Sequence, residues 1–258
     1  MKRYLLAVPL LLCGAPVRAD TPAAVAATNY QAGLIGKDTY ISGNRVNNTY
    51  NVNASAAFPL STLLGTSLTA NYDHVNIVSD PYNNATPSSS WPTCSVHSVT
   101  LDAGLFARKP SLGKIGIDYG AGQQTSRCNA TFLATGTEKL KTHHATASAE
   151  FYFSTVTLGA SRTNTQIESG SGFDSDTLTA SWYPVDDMRV SVAADGLDLK
   201  KTYHLNMEYQ PGFLDNTISL VFGFTTQKQT LTTNVYSVGF MYFFGTKVDL
   251  KTRDRMYR

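Results

Sequence analysis

The chain has 258 residues, of which 11% are aromatic and only 16% charged, with 14 tyrosines, 12 phenylalanines and 19 glycines. That composition favours strands and excludes disorder, and a formal net charge of +2 excludes a strongly basic nucleic-acid binder. No apolar run beyond the first twenty residues reaches the ~18 needed for a membrane helix, which leaves an all-β protein.

The first element reads as an export signal over residues 1–19. Lys2 and Arg3 make a short positive start, residues 4–13 an apolar core, and Val17-Arg18-Ala19 a cleavage site after Ala19. A lipoprotein signal on Cys13 is the rival, but Leu12 is large for the residue before a lipidated cysteine. The mature chain would start at Asp20, in an oxidising compartment. Losing Lys2, Arg3 and Arg18 leaves 18 basic against 19 acidic residues. Five of those basics (Lys247, Lys251, Arg253, Arg255, Arg258) lie in the tail 246–258, so the body 20–245 is mildly acidic.

From Thr28 onward the side-chain character switches every residue, strand after strand. Twelve segments follow, at about 29–41, 45–58, 63–78, 95–108, 114–128, 139–153, 154–169, 175–183, 188–200, 201–210, 217–229 and 231–245. In the sixth, Ala145, Ala147, Ala149, Phe151 and Phe153 alternate with His144, Thr146, Ser148, Glu150 and Tyr152. In the eleventh, Ile218, Leu220, Phe222 and Phe224 alternate with Thr217, Ser219, Val221, Gly223 and Thr225. Most segments reach the ~9–11 residues of a tilted membrane-spanning strand. Compact turns at 58–61, 109–113, 183–187 and 211–216 alternate with polar loops at 79–94, 129–138 and 170–174. Short turns at one end and longer loops at the other is the arrangement of an antiparallel up-and-down transmembrane barrel. A secreted sandwich or lipocalin-like barrel is the alternative. Its second face would be Thr, Ser, Asn, Gly and charges, which make a poor dry core, and alanines bury little area.

The twelfth segment ends Ser-Val-Gly-Phe-Met-Tyr-Phe-Phe over 237–244. It resembles the C-terminal strand signal of bacterial outer-membrane β-barrels, with Ser237, Gly239, Tyr242 and Phe244 on the signal positions and Phe240 in the same outward row. The resemblance implies an outer-membrane location, lipid contact, and assembly by periplasmic chaperones and the barrel-assembly machinery. Here 14 residues follow Phe244, where the signal ordinarily closes the chain.

Parity points Asp73, Asp102, Asp118, Glu150, Asp195 and Glu208 inward, with Lys37, Arg45, Arg108, Lys114 and Arg189. They would line a narrow pore with a weak preference for cations, or an ion-paired, filled lumen. Twelve strands fall between the filled eight and the open sixteen, so strand count does not choose. Tyr30, Tyr40, Tyr50, Tyr72, Tyr119, Trp182, Tyr203, Tyr209 and Phe244 fall near strand ends or on outward parity, as in the aromatic girdles of such barrels.

The mature chain keeps Cys94 and Cys128, both at loop-side strand ends, and a disulfide is the expected use. His143 and His144 point to opposite faces and cannot chelate one ion, and His97 and Ser98 are separated in the same way. No cofactor, metal or catalytic set is expected. A passive pore leads, ahead of a closed barrel whose loops serve as receptor, adhesin or anchor, and an embedded hydrolase. The tail has two readings: a solvated appendage, or a segment folding back toward Asp118, Glu150 and Glu208.

Overall fold

The computed structural model describes residues 28–256, apart from 78–93, 129–137, 169, 171, 197–201, 229 and 246. The expected signal at 1–19 and the loops around 79–94 and 129–138 therefore lie almost wholly outside the described residues.

Twelve antiparallel strands close on themselves, each paired with its neighbours in sequence and the last paired with the first. They are β1 (Asn29–Ile41), β2 (Asn44–Pro59), β3 (Leu64–Ile77), β4 (Cys94–Lys109), β5 (Gly113–Cys128) and β6 (Glu138–Tyr152). The second half is β7 (Val156–Ile167), β8 (Gly172–Val185), β9 (Met188–Asp195), β10 (Thr202–Tyr209), β11 (Ile218–Lys228) and β12 (Thr232–Phe244). A short helix, α1 (Leu250–Met256), follows the closing strand.

Period-two patterning dictates this architecture. Most apolar residues of each strand share one face, and closing the sheet turns that face outward, where Leu101, Ile117, Phe151, Leu178, Phe222 and Val238 stay exposed. A water-soluble fold would bury them, so these rows are built for lipid. Eight of the nine girdle aromatics are strongly exposed on this face; Tyr40 packs edge-on to Tyr236. Closure also explains Gly239: a Cβ there would collide with the β1 backbone at Leu34 and Ile35.

Two details depart from the sequence reading. The stretch 170–174 is mostly strand, because β8 begins at Gly172 and Asp174 pairs with Arg162 (2.8 Å) and Asn164 (2.6 Å) on β7. Arg45 does not face inward. A register shift at Thr39/Tyr40 flips its parity, and it bonds Asp38 at 2.5 Å on the exposed outer face.

Candidate functional site

The candidate site is the lumen together with α1 at its short-turn end. α1 has only seven residues, too short to be stable alone, so its partners must hold it. Asp249 caps its start: its carboxylate accepts from the Thr252 backbone N–H and hydroxyl, both at 2.7 Å. Leu250 and Arg253 are 0% exposed.

Arg253 is the hub. Its guanidinium donates to Gln210 Oε1 at 2.6 Å and to the Asn216 carbonyl at 2.8 Å, and lies 3.6 Å from the Phe243 ring centre. Gln210, itself fully buried, donates to the carbonyls of Asn216 (2.9 Å) and Val248 (2.8 Å). Asp254 accepts from the Tyr183 hydroxyl (2.9 Å) and from Arg189 (2.8 Å), whose other nitrogen bonds Glu208 at 2.6 Å. Ser219 donates to the second oxygen of Glu208 at 2.6 Å. Arg255 reaches the carbonyls of Phe153, Ser154 and Val156 in the turn between β6 and β7. Lys247 pairs with Asp215 and Lys251 with Asp186 on two further turns. Those two acids, not the expected Asp118 and Glu150, pair with the tail lysines; Glu208 joins the plug through Arg189. The tail is thus seated from the closing strand round to the turn between β6 and β7. The turn residue Asp187 sits against this seat, and burial first, then Asp249 and Asp186, holds its carboxyl above the usual range.

Above α1 lies a cavity of about 460 Å³, walled by Thr146, Ser148, Ser161, Thr179, Ser181 and Ser191 and floored by Tyr152, Tyr183, Asp254 and Arg255. Asp118, Glu150 and Arg189 face it as well. Asp118 is 3.4 Å from the Ser67 hydroxyl, and Glu150 accepts from Tyr152 at 3.0 Å. Arg108 is buried at the same end with its guanidinium 4.9 Å from the Phe106 ring centre, and Lys114 Nζ lies 5.3 Å from the same centre. Nearer the loop end, Asp73 accepts from Asn51 at 3.0 Å. Asp102 meets His144 at 2.6 Å across Gly120, where any Cβ would strike both side chains. Asp195 meets His204 at 2.7 Å and Thr177 at 2.7 Å. The structure therefore gives most of the inward acids a partner, and the sequence had named none of these pairs.

No family model and no curated protein matches the chain. Solved structures do. The β domain of the Bordetella autotransporter Brka aligns at a TM-score of 0.55 and 8% identity, over 84% of this chain and 100% of that one. The KdgM porin aligns at a TM-score of 0.53 and 9% identity, over 83% and 99%. The fold is that of a bacterial outer-membrane β-barrel. In an outer-membrane barrel the exposed rows face lipid and the short turns face the periplasm; α1 lies at the short-turn end here. At such low identities the likeness speaks for this fold alone.

The closing strand pairs with β1 along its length and puts Ser237, Gly239 and Met241 on the inward face, while Phe240, Tyr242 and Phe244 stay exposed on the outer one. At the loop end, Cys94 and Cys128 are direct register partners. Among the described residues, no three His, Cys, Asp or Glu side chains converge on a point.

Proposed function

We propose that the barrel is a non-enzymatic, narrow conduit for small polar solutes or ions, with α1 as the constriction at its periplasmic end. The observation that carries this reading is the cavity above α1, most of whose lining side chains carry hydroxyls or charges. Asp118, Glu150 and Asp254 outnumber Arg189 and Arg255 around it, which supports a weak preference for cations. Single-channel recording on the refolded mature chain in planar bilayers tests it. Small, cation-selective steps are expected; a silent bilayer containing heat-modifiable, folded barrel would refute it. The second reading, a closed barrel working through its loops, draws its support from the buried seat of Arg253 and Leu250. A silent bilayer would favour that reading.

The same proposal includes assembly by periplasmic chaperones and the barrel-assembly machinery through Ser237, Gly239, Phe240, Tyr242 and Phe244. It also includes a disulfide between Cys94 and Cys128. Direct cross-strand partners lie ~4.5–5.5 Å apart at Cα, within the span that a disulfide bridges. Closing the ~35-residue loop between them would stabilise the barrel by roughly 3–4 kcal/mol in the chain-entropy account. Alkylation without reductant followed by mass spectrometry should find neither thiol modified; two alkylated thiols in native membranes would rule the bond out.

A further inference from the structure

On the outer face, His74 of β3 and His97 of β4 are direct register partners, and their Nδ1 atoms lie 3.0 Å apart. They stand one step beyond Tyr72 in the outward row, where Leu68, Ala70 and Tyr72 give way to His74 and Asn76. That step puts the pair at headgroup level, within reach of ions from outside.

The hydrogen bonds around the pair fix what it offers. Asn76 Oδ1 lies 2.8 Å from His74 Nε2, and a carbonyl oxygen only accepts, so Nε2 carries the proton. A neutral His74 ring then presents a bare Nδ1 to its partner. The Tyr72 hydroxyl lies 2.8 Å from His97 Nδ1; with His97 protonated on Nε2 the hydroxyl donates to the Nδ1 lone pair, and an ion bound there takes the place of this hydrogen bond. In those tautomers two unprotonated Nδ1 atoms face each other at 3.0 Å, an approach that a shared proton or a metal cation between them stabilises.

We infer that His74 and His97 form a two-nitrogen site for a borderline divalent metal ion, Zn²⁺ or Cu²⁺, with Asn76 as the outer partner that orients His74. Imidazole nitrogen selects these ions over Mg²⁺ and Ca²⁺, which want oxygen. A tetrahedral ion with ~2.05 Å bonds sets its nitrogens about 3.3 Å apart, so the pair need open by only a few tenths of an ångström. Two protein ligands leave the remaining positions to water. Bound, the ion would tie β3 to β4 at the loop-side end of the sheet. His143, the other outward histidine, is 3.2 Å from the Tyr119 hydroxyl and faces no second imidazole.

The test uses untagged chain extracted from outer membranes, stripped with chelator and titrated with Zn²⁺ or Cu²⁺ alone, with heat-modifiable migration confirming each variant's fold. One ion per barrel is expected, with coupling to two nitrogens in the Cu²⁺ electron paramagnetic resonance spectrum. His74→Ala and His97→Ala should each weaken binding at least tenfold, and His143→Ala should leave it unchanged. Asn76→Leu, which keeps both ligands, should weaken it by roughly tenfold. No stoichiometric binding, or binding that survives His74→Ala, would overturn the site and leave a proton-bridged pair.

Discussion

Deleting residues 246–258 should raise single-channel conductance several-fold while leaving a folded, heat-modifiable barrel. The deletion removes Leu250 and Arg253, both 0% exposed, from the periplasmic mouth. It touches none of the strand ladders, whose pairing runs unbroken around the closed sheet. The groups left behind can tolerate the loss: Glu208 keeps Arg189 and Ser219, and Gln210 and Tyr183 gain water. Arg253→Ala is the finer version. It leaves Gln210 Oε1 without its 2.6 Å donor, at about 1–3 kcal/mol if the oxygen stays dry. Water can repair that loss only by entering the seat, which is itself opening. High salt should act in the same direction but weakly. It screens Lys247–Asp215 and Lys251–Asp186, whose acids are largely exposed, and hardly reaches the hub. Unchanged conductance in the deletion would mean that solutes pass elsewhere or not at all, and the conduit reading would fail with it if the intact chain is also silent.

The strands were legible because a side-chain period of two is written residue by residue. Tyr236, Val238, Phe240, Tyr242 and Phe244 sit on one face whatever the rest of the chain does, and the parity placed Asp102, Asp118, Glu150 and Glu208 inward. What parity cannot carry is a shift of register. Arg45 lies beyond the one between Thr39 and Tyr40, so it emerged on the wrong face. Partners across strands were equally hidden. His74 and His97 are 23 residues apart and meet only because β3 and β4 pair in that register. The tail was the hardest part. Nothing within 246–258 distinguishes a solvated basic segment from a seated helix. Most hydrogen-bond partners of Arg253, Asp254 and Arg255 lie 37 to 102 residues away, on Gln210, Asn216, Tyr183 and the turn after β6. Charge count drew attention to the tail; only the fold supplies its seat.

Placing one arginine on each face of the sheet should give opposite phenotypes. Leu220→Arg and Phe222→Arg put a charge on the lipid side of β11, where both residues are 41% exposed, and should impair folding into bilayers by roughly 2–4 kcal/mol near midplane. The inward controls have to be chosen with the floor in view. Ser219 has inward parity but is 0% exposed and bonded to Glu208, so an arginine there has no room and should damage folding too. Gly223 is no better, since any side chain would strike Ser237 and Asn206. Thr179 and Ser161 face the open cavity, and there an arginine finds water and space. Thr179→Arg and Ser161→Arg should therefore fold normally and shift ion selectivity toward anions, because each adds a positive charge beside Asp118, Glu150 and Asp254. Folding efficiency in lipid vesicles and reversal potential in bilayers read the two effects separately. Equal folding damage from Phe222→Arg and Thr179→Arg would show two packed faces in place of a lipid face and a wet one.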